Sequence, residues 1–474
     1  MKFCPECGAS LAPEQRFCTG CGFALAGAAA AGAPPSPVPG QPVGAPQVSA
    51  YEQLGSHAGA PLPPPSGRKR VRGLVIAGVG VAVLGVVGVA AWQVFGGADT
   101  GADKPEDAVT EILEAAESQD PVAAIRMLNP AESAGIDEVY EQLHQRLVKA
   151  GVASKDGVFE AGAVTFDDVE TRVRELGDDV AIVYLEDGTM TVELKAEEFP
   201  AALSGVADQV RAELGDSWQE RIDLSDLADD LYIGGEPGTG LFVITVKVDG
   251  KWHVSPTATA AEYLARDWFG QGGDWSAYAD GGDRDPVTAD VPQDALQVLA
   301  DAARGDDLDG MLDALPSGQG ALLRPFVELA NRELEAAGAG FDLAIDEQEV
   351  RAGDAKDGLV RVDIDRLTGD LNGKESGDPY PNRFTLSGAC AELATYYGEV
   401  EQGCTPQWLV DASGISEAFV MVRETDGGWQ VDPFATAVAW LEEIVGNFPD
   451  SELDSLIEAI DNGSADDWIA DRLG

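Results

Sequence analysis

The stretch FVITVKVDGKWHVSPTATA at residues 242–260 returns later in the chain as FVMVRETDGGWQVDPFATA at 419–437. An offset of 177 carries Phe242 onto Phe419, Trp252 onto Trp429, Pro256 onto Pro433 and Thr259 onto Thr436. In each copy an alternating apolar run meets an Asp-Gly pair, which tolerates the positive φ of a tight turn. It then continues through the Trp, so a β-hairpin is expected at Phe242–Val248 and Lys251–Val254. Its counterpart is Phe419–Glu424 and Trp429–Val431. A short helix at 257–266, or 434–445, closes each copy. A Trp directly after such a turn packs a sheet face more often than it stacks on a ligand, so both tryptophans are expected in cores.

The copies also begin alike. Pro105-Glu-Asp-Ala-Val, continuing to AAESQDPVAAIRML, matches Pro292-Gln-Asp-Ala-Leu, continuing to AARGDDLDGMLDAL, at an offset of 187 that sets Asp120 on Asp307 and Leu128 on Leu315. Two internally related domains follow, at 103–268 and 289–448, with 269–288 between them and a helical extension at 449–474. Each opens with helical periodicity at Ala108, Ile112 and Ala115, or Leu296, Leu299 and Ala303, and with longer amphipathic stretches at 136–150 and 320–337. Strands are expected at Val164–Glu175, Val180–Leu185 and Thr189–Leu194, with a turn at Glu186-Asp187-Gly188, and in the second copy at 341–352 and 358–365. Helices followed by an antiparallel sheet make each an α+β domain. The first copy carries a helix-like AEEFPAALSGVADQVRAEL at 196–214. In the second, Cys390 and Cys404 would close a loop near Tyr396, Tyr397 and Trp408, the first place to look for recognition. Trp268, Trp275 and Tyr278 fall in the segment between the copies.

Upstream, GLVIAGVGVAVLGVVGVAAWQVFGGA at 73–98 contains no charged residue, and about 20 apolar residues suffice to cross a bilayer as a helix. A transmembrane helix is expected at 73–96. Arg68, Lys69, Arg70 and Arg72 precede it, while Asp99, Asp103, Glu106 and Asp107 follow, so the positive-inside bias holds the N-terminus in the cytoplasm and the rest outside the cell membrane. The run lies too deep in the chain and is too long for a cleaved signal peptide. Residues 1–98 hold six of the 31 Lys+Arg and three of the 83 Asp+Glu, leaving 25 and 80 beyond, a net −55. Such a field repels nucleic acid and anionic lipid.

The six cysteines divide at the same boundary. Cys390 and Cys404 lie where a disulfide persists. Cys4, Cys7, Cys18 and Cys21, in FCPECGASLAPEQRFCTGCGF at 3–23, form two C-x-x-C knuckles whose thiolates make a closed tetrahedral site, and a module of about 25 residues needs a metal to fold. Zn2+ is the expected ion, with iron the chemical alternative. Lys2 and Arg16 are offset by Glu6 and Glu14, so this zinc ribbon at 1–25 lacks the basic patch that phosphate contacts require. Residues 26–67, with ten prolines, form a disordered linker.

Ribbon, linker, basic cluster, single span and large external region together resemble bacterial zinc-ribbon membrane proteins of the teicoplanin-resistance-associated (TcaA-like) type. The resemblance implies an envelope protein with a role in cell-wall stress response or antibiotic resistance. The external repeats loosely resemble NTF2-like or cystatin-like α+β modules. No P-loop, G-x-S-x-G elbow or H-E-x-x-H occurs, and His144 and His253 are expected at the surface. DLNGKESGD at 370–378 lacks a calcium loop's ligand alternation. The leading expectation is therefore a non-enzymatic membrane protein that binds an envelope protein or cell-wall ligand outside and a protein partner at the ribbon, with no nucleic acid. Glycines 78, 80, 85 and 88 would allow a homo-oligomer. The alternatives are an enzyme with an NTF2-like pocket and a transmembrane sensor acting through the ribbon.

Overall fold

The structure is a computed structural model, which describes residues 101–474 except 158, 227–239, 281–283, 305–306, 337–339, 376–377, 396–398 and 474, together with residues 2–3 and 10–11. The chain divides into two compact units, Met1–Pro65 and Ser66–Gly474. In the first, β1 (Lys2–Phe3) pairs antiparallel with β2 (Ser10–Leu11), Lys2 opposite Leu11 and Phe3 opposite Ser10. The expected span at 73–96, its basic flank at Arg68, Lys69, Arg70 and Arg72, and the linker at 26–67 lie outside the described residues. Among those described, no helix is long and apolar enough to cross a membrane.

From residue 101, the described part of the second unit has four helices first, α1 (Pro105–Glu117), α2 (Pro121–Met127), α3 (Pro130–Ser133) and α4 (Ile136–Lys149). Proline at the first position of α1, α2 and α3 presets φ where an N–H would lack a partner. Asp120 accepts from Ala123 N at 2.9 Å to cap α2. Strands β3 (Gly162–Glu175) and β4 (Val180–Lys195) follow, then α5 (Ser204–Leu214), β5 (Ser217–Asp223), β6 (Leu241–Val248), β7 (Lys251–Val254) and α6 (Pro256–Phe269). Strand β4 runs through the expected turn at 186–188. Its first half, Val180–Leu185, pairs with β6 and its second, Thr189–Lys195, with β5, while β3 lines its other edge. The Asp-Gly signal instead marks a β-bulge. The β3–β4 register shifts between Asp167 and Thr171, Asp168 takes φ +52° and Gly188 φ +128°. A Cβ on Gly188 would lie 2.8 Å from Val169 Cα. Because β3 keeps pairing beyond the bulge, the chain bends there without reversing.

After α7 (Ser276–Asp280), the second copy repeats the plan: α8 (Ala295–Ala302), α9 (Leu308–Asp313), α10 (Ser317–Leu323), α11 (Val327–Ala336), β8 (Gly340–Ala352) and β9 (Leu359–Glu375). The expected helix at 320–337 breaks around Pro325, which lies in a 3-10 turn. Strand β9 is longer than the expected 358–365. It pairs with β13 (Ala418–Thr425) through Leu359–Ile364 and with β10 (Asp378–Ser387) through Arg366–Glu375, with β8 on its other edge. Between them come β11 (Cys390–Ala394), β12 (Val400–Cys404) and α12 (Gln407–Ser413). The chain ends with β14 (Gly428–Val431), α13 (Pro433–Asn447), α14 (Asp450–Asp461) and α15 (Ala465–Leu473). Both sheets are antiparallel, and they share the plan of one long, bulged strand serving two successive partners.

The duplication extends to individual hydrogen bonds. Thr259 Oγ1 accepts from Ile244 N and Thr436 Oγ1 from Met421 N, both at 2.9 Å, and each hydroxyl donates to the carbonyl of its helix cap, Ser255 or Asp432, at 2.7 Å. Ala102 bridges Trp252 as Ala289 bridges Trp429. Asp307 caps α9 through Gly310 N as Asp120 caps α2. The copies meet partly through equivalent elements. A Cβ on Gly318 of α10 would lie 3.4 Å from that of Ala131 in α3, its own counterpart at the offset of 187. Reciprocally, α13 touches α3 and α10 touches α6.

One face of the first sheet packs Val183, Leu185 and Val192 with Ala108 and Val109 of α1 and with Trp252. The other packs Val180, Ile182, Phe242 and Ile244 against Ala258, Trp275 and Leu322, the last from the second copy, with Phe326 and Phe434 alongside. Burial on both faces is why β4 reads as the unbroken apolar run VAIVYL. The 269–288 segment, expected as a linker, takes part in this core: Trp275 is buried, its Nε1 donates to Glu262 Oε2 at 3.0 Å, and Asp274 N donates to Pro325 O at 2.8 Å. Trp268 is exposed. Double coverage also corrects the expectation for His253. It is 2 % exposed, and a Cβ on Gly101 would fall 2.5 Å from its ring, because the segment before α1 lies over β7.

Candidate functional site

Of the residues expected to hold metal, Cys4, Cys7, Cys18 and Cys21 lie outside the described residues. The described β1–β2 pair flanks residues 4–9 in the sequence, which include Cys4 and Cys7. Four thiolates suit tetrahedral Zn2+ and leave no position open for substrate, so the donor set fits a structural ion. Elsewhere, no group of three or more His, Cys, Asp or Glu side chains among the described residues is placed to hold a metal. Residues 370–375 and 378 run in the β9–β10 ladder.

The expected disulfide is present. Cys390 and Cys404 are bonded, with Cα atoms 4.0 Å apart, and they face each other in the β11–β12 ladder. Cross-linking two residues 14 apart contributes about 3 kcal/mol in the chain-entropy model. Instead of an irregular loop, the bridge staples a regular hairpin, which continues the sheet beyond β10 and ends it at β12. Every residue of β12 is exposed, and no described residue of 390–404 belongs to a core cluster. Tyr396 and Tyr397 lie outside the described residues, and the Trp408 ring lies 5.9 Å from that of Trp468 on α15.

Sequence reasoning missed a buried polar centre in each copy, placed where helix three meets the cap of the closing helix. In the first copy, Glu132 (7 % exposed) accepts from Asn129 Nδ2 at 2.8 Å, Ser255 Oγ at 2.6 Å and Thr257 N at 2.7 Å. In the second, Gln319 Nε2 donates to Asp432 Oδ1 at 2.7 Å, and Arg423 Nε donates to Asp432 Oδ2 at 2.6 Å. The offsets of 187 and 177 carry Glu132 onto Gln319 and Ser255 onto Asp432. The acid has moved from one partner to the other. Both centres also cap α6 and α13, through Ala258 N and Ala435 N. A carboxylate enclosed by three donors is suited to holding a helix in place, since a buried charge without partners is strongly destabilising.

His253 occupies the position of Gln430 in the second copy. Gln430 Nε2 bridges the carbonyls of Val287 and Asp313 at 3.1 and 3.0 Å. Burial holds the His253 imidazole below its ordinary pKa, opposed by backbone groups of Leu128 and Arg126. His144 is part-buried and its Nε2 lies 2.9 Å from Ser154 O.

Between the copies, a surface groove is lined by Gln145, Arg146, Lys149, Gly446, Phe448 and Asp450. Arg146 donates to the carbonyls of Val445 and Phe448, and its contact with Asp450 measures 3.2 Å. The Lys149 ammonium, followed by Arg146, holds the Asp450 carboxyl below the usual carboxylate range. Asp461 Oδ1 accepts from Gly205 N and Val206 N at 2.5 and 3.2 Å, fastening α14 to the start of α5. These contacts tie the copies together.

Residues 3–25 match the zinc-ribbon domain family. Neither the curated proteins nor the solved structures compared with the chain yield a match. The N-terminal residues are therefore a zinc ribbon, followed by helices and two antiparallel sheets.

Proposed function

We propose that this chain is a membrane-anchored envelope protein of the TcaA-like kind, with a cytoplasmic zinc ribbon and a duplicated external region that binds a protein or wall component. The observation that carries the reading is the division of the cysteines. Four thiols in the ribbon require a reducing compartment, and the Cys390–Cys404 bridge requires an oxidising one, which is consistent with a barrier between residues 21 and 390. The uncharged run at 73–98, with basic residues before it and acidic residues after it, supports the same orientation. The region beyond it offers a rigid, doubly packed scaffold whose exposed additions differ between copies, as expected when binding rather than folding sets the surface.

Labelling intact cells with a membrane-impermeant maleimide tests the topology. Added before cell lysis and after mild external reduction, the reagent should modify Cys390 and Cys404 while sparing Cys4, Cys7, Cys18 and Cys21. Ribbon cysteines labelled from outside would overturn the arrangement.

A further inference from the structure

We propose that β12 is a docking edge for an extended polypeptide strand bearing Lys or Arg side chains. The register defines what the edge offers. Thr395 N donates to Glu399 O and Thr405 N to Ala389 O, each at 2.8 Å, so odd-numbered residues face one another across the hairpin through their hydrogen-bonding groups. Cys390 and Cys404, Glu392 and Gln402, and Ala394 and Val400 are the intervening non-hydrogen-bonded pairs. The N–H and C=O groups of Val400, Gln402 and Cys404 therefore point away from β11, toward the side of β12 on which no strand among the described residues pairs. At the other end of the same sheet, β14 is closed by its bridge to Ala289.

Exposed edges are commonly blunted by proline, a bulge or lysine. Residues 390–404 contain none of the three: there is no Pro and no Lys, and the β11–β12 ladder is regular throughout. Instead, a disulfide fixes a hairpin whose described residues belong to no core cluster. Glu399 and Glu401 are exposed at the edge, and Val400 is 60 % exposed upon it. Adding a strand would satisfy the outward backbone groups, and basic side chains on that strand would meet the glutamates. The acidic external region disfavours an acidic segment here. This deepens the external-partner reading by naming the surface and the chemistry of the partner, and it depends on that reading only for the oxidising compartment.

The test uses the full chain in lipid nanodiscs with the disulfide intact, and an acetylated, amidated ten-residue Lys-Val alternating peptide as probe. Binding is expected to fall at least tenfold in Gln402→Pro, which removes an outward N–H without touching a β11–β12 hydrogen bond. It should fall similarly when alternate peptide amides are N-methylated, a change that leaves the protein unaltered. Glu399→Gln with Glu401→Gln should weaken binding and flatten its salt dependence, and an Asp-Val peptide should not bind. Equal binding of the N-methylated peptide, or wild-type affinity in Gln402→Pro with the disulfide retained, would show attraction to a general acidic surface and overturn the proposal. No binding by any basic peptide would leave the hairpin a guarded edge and also overturn it. The maleimide result is independent of these outcomes.

Discussion

Exchanging the acid between Gln319 and Asp432 tests whether the two buried centres are alternative solutions to one packing problem. Gln319→Glu alone sets a second carboxylate about 2.7 Å from Asp432 Oδ1, where both residues are buried. With Arg423 compensating one charge, the cost is about 3 kcal/mol. Asp432→Ser alone removes the acceptor from Arg423 Nε and Gln319 Nε2 while keeping a cap for α13, at about 2 kcal/mol. When Gln319→Glu and Asp432→Ser are combined, the new carboxylate and hydroxyl meet as those of Glu132 and Ser255 do, with Arg423 beside them, and the net cost should stay within about 2 kcal/mol. The singles together cost about 5 kcal/mol, so a coupling of about 3 kcal/mol is expected, at the upper end of values for residues in contact. Equilibrium urea unfolding followed by tryptophan fluorescence measures it, because Trp275, Trp429 and Trp440 lie within or beside the second copy. Additive costs, with the double variant losing about 5 kcal/mol, would refute the equivalence.

Three further outcomes follow from the geometry. His253 titrates below its ordinary value when folded, so the unfolded chain binds more protons; stability present above about pH 6.5 should decline as pH falls toward the folded pKa, and His253→Gln, which borrows the residue at position 430, should flatten that part of the pH–stability profile. Gly205→Ala drives a Cβ into Asp461 O, well inside van der Waals contact, and should loosen α14 from α5 at about 1–3 kcal/mol, seen as faster amide exchange in 450–461; unchanged exchange would contradict the contact. Zinc released by a thiol-reactive mercurial should amount to one ion per chain and fall to none in Cys4→Ser, while the urea transition of residues 101–474 stays where it was.

The duplication was legible because its signals are local. Asp-Gly before Trp, Ser or Asp before Pro, and Thr four residues after the cap occupy the same hydrogen bonds in both copies. What escaped depends on long-range coverage. His253 alternates with Trp252 along β7, as an outward residue would, yet the segment ending at Ala102 closes over it. The Asp187-Gly188 pair fits a turn and a bulge equally well until β3 is laid along the other edge. The polar centres could have been found by asking which polar residues change together between copies, since Glu132/Ser255 against Gln319/Asp432 preserves one carboxylate. Other functions have moved between elements: Arg266 on α6 stacks over Phe242, whereas Arg361 on β9 stacks over the matching Phe419. Such a change of donor leaves no signature at aligned positions. The β11–β12 hairpin was hidden because the cysteine spacing specifies a closed loop without specifying its backbone.

The contact between Ala131 and Gly318 has a consequence for stoichiometry. A pair of separate subunits joined at that contact would have to carry every surface device twice and would come apart on dilution. Fusing the halves into one polypeptide makes their association independent of concentration and frees each to accumulate its own ornaments. The stapled hairpin, present on one half, thus occurs once per chain, so under the docking proposal each chain should engage a single strand, and avidity would have to come from neighbouring chains.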